Sequence, residues 1–493
     1  MKMLKFSKHN TTLIASRQKN HALMRKGGIV LAFLSLHVVF VLNSCKIYDN
    51  YQKVDVLSVV SSYDKLVQGW EELQPEDLLQ SLSLPDDASL QQLIDSALIH
   101  NTDLRIAQTR IDAAAARLRQ TKLAFLPDLQ MGVQGGGSFS PNANPSWSHS
   151  ELFSASWEID IFGKLRNQKM QQQMDYAAAL DYLQAVRTGL CATVAISFYT
   201  LSMLHNEMQL SEQTLMNWRE DVRVLKAMKE GGMTTEAAVA QAEANALRVE
   251  GSLIHLKQEI KELENTLSAL IGLPSNQFVA SLPLPPFEKV FQSVKEKKVD
   301  SVPLQMLGNR PDVRRAEKMV ARAFYATNAA RSAFYPSLTL SGSAGWSNLN
   351  GSLNPADMLA NAVGSLVQPL FKKGQLTANL KVAQAQQEEA QHSFVQVQLD
   401  AGAEVNNALS GLESARAKCE VDAQQVARLE DAVHSTHLLM ENSSTTSYLE
   451  VLTAQQSLLS ARLSLLADQF EQVQRYVTLY RALGGGQETG KGL

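Results

Sequence analysis

The sequence predicts a mainly α-helical chain that carries a membrane β-barrel, with one half-protein written twice. Three observations predict it. Landmarks recur at a separation of about 210 residues. Two long proline-free stretches have the length and apolar spacing of coiled-coil helices. Two pairs of short segments alternate apolar and polar side chains, the fourth, about 359–371, less cleanly, as strands with one wet face do.

Composition sets the outer limits. The chain has 493 residues, 45% apolar and 19% charged, with three cysteines and a formal net charge of −3. That balance excludes a disordered or collagen-like chain, and three cysteines cannot build a disulfide scaffold. Nothing in the charge points to nucleic acid. Mean hydropathy is slightly negative, which excludes a polytopic helical membrane protein but not a barrel, whose strands need only alternate.

The first 27 residues carry seven basic side chains and no acid, followed by an apolar run from Ile29 to Leu42. A run that short behind a basic segment reads as a signal peptide rather than a spanning helix. It ends Leu42-Asn43-Ser44-Cys45, which is similar to a lipoprotein cleavage box with Cys45 as the lipidated residue. Removing residues 1–44 leaves 449 residues and, with seven cations gone from a net charge of −3, a mature charge of −10.

The repeat comes next. Asn101-Thr102-Asp103 matches Arg310-Pro311-Asp312, and Phe125-Leu126-Pro127 matches Phe334-Tyr335-Pro336, both 209 residues apart. Ala242-Glu243 matches Ala454-Gln455 at 212, and both halves close alike, in Ala269-Leu270-Ile271-Gly272 and Ala482-Leu483-Gly484-Gly485. The expected organisation is a signal peptide at 1–44, an N-terminal equatorial segment at 45–92, a first repeat at 93–274, an equatorial connection at 275–306, a second repeat at 307–485 and a tail at 486–493.

No proline falls between Pro145 and Pro274 or after Pro369, so both stretches are free to be long helices. Gly163 and Gly231 bracket 67 residues, as do Gly374 and Asn442. In the first stretch Leu180, Leu183, Val186, Leu190, Val194, Phe198, Leu201, Leu204 and Met208 advance 28 positions in eight steps. That is the coiled-coil period. Gly231-Gly232 ends the first long helix, and Ser443-Ser444 in Asn442-Ser443-Ser444-Thr445-Thr446 ends the second. Return helices are expected at about 235–270 and 446–482.

The strands form hairpins at about 128–161 and 337–371, with turn-rich connections at 135–150 and 347–356. Phe153 to Ile161 alternates without a break, placing Glu158 and Asp160 on the polar face, where a lumen would lie. Four strands of 9–11 residues cannot close a barrel in lipid, because open edges leave backbone groups unsatisfied. The chain must therefore oligomerise. Two copies supply eight strands and a plugged lumen; three supply twelve and room for a pore.

Asn309-Arg310-Pro311-Asp312-Val313, Ala329-Ala330-Arg331, Phe334-Tyr335-Pro336-Ser337-Leu338, Tyr448-Leu449-Glu450-Val451-Leu452-Thr453-Ala454-Gln455 and Gly272-Leu273-Pro274 carry a resemblance over about residues 60–485. The chain resembles TolC/OprM-like outer-membrane efflux proteins, in their lipid-anchored, NodT-like branch. The resemblance implies a homotrimer with a 12-stranded barrel, continued as a helical coiled-coil tunnel through the periplasm. It also implies a periplasmic adaptor (membrane fusion protein) and an inner-membrane pump as partners, and contact with outer membrane lipid. The family's tip turns carry an Arg-Tyr pair before a glycine; here Met228-Lys229 precede Gly232, and Met440-Glu441 precede Ser444. The family's two-acid constriction ring is matched by Glu450, with Thr453 at the second position. Three copies of Glu450 would favour cations.

No Walker motif, nucleophile elbow, paired zinc cysteines or HExxH is present, so neither an enzyme nor a cofactor is expected. His434 and His437 lack a third ligand, and no metal site is expected. The competing class is a periplasmic coiled-coil adaptor or scaffold lipoprotein, which needs no lipid-facing strands.

Overall fold

A computed structural model describes residues 50–52, 88–141, 143–297, 302, 305–348, 358–442 and 448–485. Cys45, Ser443 and Ser444 lie outside the described residues. In chain order the elements are α1 (Ala88–His100), α2 (Thr102–Leu123), β1 (Asp128–Ser140), β2 (Ala143–Ile159), α3 (Lys164–Glu230), α4 (Glu236–Leu270), α5 (Gln277–Ser281), α6 (Phe287–Lys295), α7 (Gln305–Asn309), α8 (Pro311–Ser332), β3 (Ser337–Asn348), β4 (Met358–Val367), α9 (Gln375–Asn442) and α10 (Tyr448–Ala482).

The duplication holds closely in the helices. Helices α2 and α8 both have 22 residues, and α4 and α10 both have 35. The long helices α3 and α9 have 67 and 68. Glycines with positive φ end matching elements: Gly163 and Gly374 before the long helices, Gly272 and Gly484 after the return helices. At both return-helix ends the backbone closes the same way. The Leu273 N–H donates to the Ser268 carbonyl, and Gly485 N–H to that of Tyr480. This is the Schellman closure, which requires the left-handed residue that glycine supplies at least cost.

The chain divides into two compact units. The first comprises the described residues of 1–52, 119–171 and 324–385. Its centre is one antiparallel sheet of order β1-β2-β3-β4, in which β2 and β3 join the two halves of the duplication. The base of each hairpin is tied back by a side chain: Trp157 Nε1 donates to the Phe125 carbonyl at 2.9 Å, and Gln368 Nε2 to the Phe334 carbonyl at 2.8 Å. Those two phenylalanines are repeat equivalents. Phe162 and Tyr335 stack at 5.2 Å between ring centres.

The strands differ from expectation in length. They run 13, 17, 12 and 10 residues. The segment 135–150, expected as a connection, is strand except for its middle. Cross-strand cover explains this. The rings of Phe139 and Trp147 lie over Gly137 and pack edge to face at 5.7 Å, so neighbours shield a glycine-rich strand that local propensity marks as loop. The hairpins also stop short, at Ile159 and Val367 rather than 161 and 371. Asn348 ends β3, and most of the second expected connection lies outside the described residues.

The second unit contains residues 88–118, 172–323 and 386–485 among those described. Its core holds Trp218, Tyr199, Phe198, Tyr476, Phe287 and Phe394, each under 3% exposed. Of the predicted apolar stripe, Leu190, Val194, Phe198, Leu201 and Leu204 are buried and Leu180 is exposed. Near the end of α3, Leu215, Trp218 and Leu225 pack with Val239, Ala242, Ala246, Val249 and Leu253 of α4 and with Tyr448 and Leu452 of α10. The long helices are thus stabilised by side-by-side packing rather than by propensity.

Candidate functional site

Register sorts the sheet into two faces. From Leu129 of β1 the pairing runs to Ala155, Gly342 and Ala362; from Met131 to Phe153, Ala344 and Ala360. This face also carries Val133, Trp147, Trp157, Ile159, Leu338, Leu340, Trp346, Met358 and Leu366. Leu129, Met131, Val133, Trp147 and Leu366 are each more than 55% exposed. The opposite face carries Gln130, Gln134, Ser150, Ser154, Ser156, Glu158, Thr339, Ser341, Ser343, Asn361 and Ser365, together with the exposed apolar side chains of Leu152, Leu359, Val363 and Val367. An apolar face open on a sheet is what lipid contact requires, because water would penalise it.

Of the two acids expected on the polar face, Glu158 lies there, paired with Lys164 Nζ at 2.9 Å. Asp160 does not. The strand ends at Ile159, and Asp160 turns back to accept the Arg166 backbone N–H at 2.8 Å, with Arg166 Nε at 3.4 Å. Its side chain is only 7% exposed. The unpaired N–H groups in the first turn of α3 attract this carboxylate more strongly than an open face does.

At the far end of α3, Gly231 and Gly232 form the turn. Gly232 has φ +71°, and Met233 N–H donates to the Met228 carbonyl at 2.8 Å. Thr235 caps α4 by accepting the Ala238 N–H at 3.3 Å, and Lys229 pairs with Glu236 across the turn. Glu450 and Thr453 lie one turn apart and exposed at the start of α10. Thr453 Oγ1 is turned inward onto its own helix, donating to the Leu449 carbonyl at 2.8 Å.

Beside them sits a contact that sequence reasoning missed. The Tyr448 hydroxyl donates to Asp221 Oδ1 at 3.0 Å, tying the first residue of α10 to α3. Burial pushes the Tyr448 hydroxyl above its ordinary value, and the Asp221 carboxylate adds to the effect. Among the described residues Asp221 Oδ2 is buried without a hydrogen-bond partner, so the tyrosine is the one bond holding that carboxylate in the packed region. Tyr448→Phe is expected to cost about 1–3 kcal/mol and to loosen the α10 start, read as faster amide exchange around 448–455. Unchanged exchange would mean the contact fixes nothing.

The Arg310 motif becomes intelligible at the junction of α8, α9 and α10. Arg310 donates to Asp312 Oδ2 and Glu404 Oε2, each at 2.7 Å, and to the Ala482 carbonyl at 2.6 Å. Asp312 accepts the Val313 N–H at 2.9 Å, and Arg481 also reaches Glu404 at 2.9 Å. In the first half Asn101, the repeat equivalent, does the corresponding work: it accepts the Leu104 N–H at 3.1 Å and donates to the Leu270 carbonyl at 2.9 Å. Each half therefore locks the start of its short helix to the last turn of its return helix.

Comparison with known proteins places this architecture. The model of the family described as outer membrane efflux protein matches residues 93–273 and 302–485. The cation efflux system protein CusC of Escherichia coli O6:H1 is 30% identical over 410 residues, covering 81% of this chain and 86% of its own. The toluene efflux pump outer membrane protein TtgC of Pseudomonas putida is 27% identical over 495 residues, covering 93% and 97%. Among solved structures, CusC superposes with a TM-score of 0.76 at 25% identity, over 90% of this chain and all of that one. The open state of the MtrE channel of Neisseria gonorrhoeae gives 0.77 at 25% identity, over 90% and 98%. Both matched segments begin and end close to the bounds of the two repeats, so the duplicated helical frame and its sheet are those of the outer membrane efflux protein family, to which this chain belongs.

Proposed function

We propose that three copies of this chain close a 12-stranded barrel in the outer membrane and act as a passive duct, with no catalytic step, for small molecules handed on by a periplasmic adaptor and an inner-membrane pump. The observation that carries the reading is the four-stranded sheet with one open apolar face and outer strands β1 and β4 that pair with no further strand among the described residues. Two such edges in hydrocarbon demand partners, and twelve strands leave room for a pore where eight do not. Family membership supports the outer-membrane location and the efflux role. The relatives export cargoes as unlike as cations and toluene by name, which supports a duct whose selectivity lies with the pump.

Within this reading Cys45 carries the lipid anchor, Glu158 lines the lumen, the Gly231-Gly232 and Ser443-Ser444 turns form the periplasmic tip, and Glu450 with Thr453 sets the constriction. The repeats at 93–274 and 307–485 are the two wall segments, and 45–92, 275–306 and 486–493 contribute to the belt around them. Detergent-extracted protein in planar bilayers tests the proposal. Conducting trimers with cation preference are expected, and Glu450→Gln should shift the reversal potential toward the non-selective value. Monomeric, non-conducting protein overturns the duct; conductance with unchanged selectivity removes only Glu450.

A further inference from the structure

Positions of the repeat that are covered at the centre of the sheet are bare at its edges. At the β2–β3 seam, where the two halves meet, Ile161 and Phe162 follow β2 and are half-buried, and the Phe162 ring stacks on Tyr335 just ahead of β3. The repeat equivalents of Ile161 and Phe162, 209 residues on, are Leu370 and Phe371. They follow β4 and stand 92% and 84% exposed. The equivalent of Tyr335 is Leu126, just ahead of β1 and 61% exposed. Apolar side chains left this bare beside open strand edges call for cover.

A glycine shows the same contrast. Gly345 of β3 has no room for a Cβ, because the backbone of Glu151 and Leu152 in β2 passes against it. Its equivalent in β1 is Gly136. There, among the described residues, an added Cβ would meet only Ser148 Oγ at 3.6 Å, an ordinary contact. Within one copy nothing requires glycine at 136; a strand arriving on its open side, as β2 arrives at Gly345, does require it. The register agrees. Trp157 faces Leu340 and His149 faces Asn348 at the inner seam. Shifting both strands by the repeat sets Leu366 against Met131 and Met358 against Phe139. Every residue of β4 then finds a partner within β1, and the two apolar faces run into one. A slip of one residue would set the apolar face of one strand beside the polar face of the other.

We propose that β4 of one copy pairs with β1 of the next in this register, so that the join between copies repeats the join between halves. Phe371 of one copy covers Leu126 of the next, as Phe162 covers Tyr335 within a copy. The Ala360-Asn361 backbone passes Gly136 of the next copy, as Glu151-Leu152 passes Gly345. Two unlike edges meeting head to tail generate a ring rather than a two-fold pair. The inference rests on the trimeric barrel proposed above and adds which residues meet. The two fail separately, because conductance and oligomer mass report the barrel whatever its register.

Cysteine cross-linking in the full-length protein, with Cys191→Ala and Cys419→Ala as background, tests the register. Val367→Cys with Gln130→Cys sets two thiols opposite each other, and oxidation is expected to link copies into a dimer and trimer ladder that reductant collapses on denaturing gels. Val367→Cys with Asp128→Cys, or with Gly132→Cys, moves one thiol ~7 Å along the same face, beyond disulfide reach, and should yield about a tenth as much or less. Equal linking by a shifted pair, or no linking by any pair in trimers that conduct, overturns the inference and leaves the barrel standing; background protein that is monomeric and non-conducting overturns both. A gain of stability tests the side-chain contact. Leu126→Tyr should give the join between copies the ring pair that Phe162 and Tyr335 make within one, slowing loss of trimer in hot detergent about two- to tenfold, and Phe371→Ala should cancel that gain. No gain in conducting trimers, or a gain indifferent to Phe371, overturns the contact.

Discussion

Arg310→Ala is expected to lower stability by about 1–3 kcal/mol, because it leaves the buried Ala482 carbonyl without its donor and two partly exposed carboxylates without their cation. The Arg310 side chain is 8% exposed and serves Asp312, Glu404 and the Ala482 carbonyl together. Lysine should not restore the loss, since an ammonium cannot present the fork that reaches three acceptors. The pH dependence has a definite sign. Burial alone would raise the Asp312 carboxyl, but the hydrogen bonds and charge of Arg310 and the Val313 N–H outweigh burial and hold it below its ordinary 3.8. A depressed carboxylate contributes stability above the ordinary value and loses it as pH falls through the lower folded one. Without Arg310 the Val313 N–H still lowers Asp312, but the larger downward influences are gone, so the stability this carboxylate contributes above pH 3.8 is smaller in the variant. The gap in melting temperature between wild type and Arg310→Ala is therefore expected to narrow as pH falls below 3.8, by differential scanning fluorimetry in detergent. A gap independent of pH would mean that the carboxylate is not involved.

The second large effect is expected at Gly345→Val, which should abolish heat-resistant oligomer and conductance together. Gly345 faces Leu152 across the seam where β2 of the first half meets β3 of the second. A Cβ there would lie 2.8 Å from the Leu152 Cα and closer still to the Glu151 carbonyl. Both obstacles are backbone, so no rotamer relieves them, and the ladder joining the halves must open. Gly132→Val is the control. An added Cβ at Gly132 meets nothing within 4 Å, and the substituted protein should assemble normally. Oligomer from Gly345→Val in wild-type yield would show that the seam tolerates separation.

These two positions mark the boundary between what the chain shows when read linearly and what needs the fold. Helix ends were legible because they depend on residues a few places apart. Gly163, Gly231 and the proline-free runs placed α3, and the Gly231-Gly232 turn placed the start of α4 at about 235. The strands' alternation was legible for the same reason. Asp160 was misread because alternation continues past the strand end, where a helix N-terminus competes for the carboxylate. The stretch 135–150 was misread because its glycines are covered by Trp147 and Phe139 from across the hairpin. The Arg310 motif could be recognised but not understood, since its partners lie 94 and 172 residues away. Tyr448 and Asp221, 227 residues apart, left no local sign.

The two outer strands of the sheet have a consequence for inheritance. A protein whose membrane part is completed by other copies of itself has no stable solitary form to fall back on. Every finished assembly samples several products of translation, so a copy with a damaged seam wastes the sound copies it joins. Mutations in β1, β4 or their pairing should then act dominantly in a cell that also makes the intact chain, whereas lesions that stop a chain before its sheet forms should be recessive.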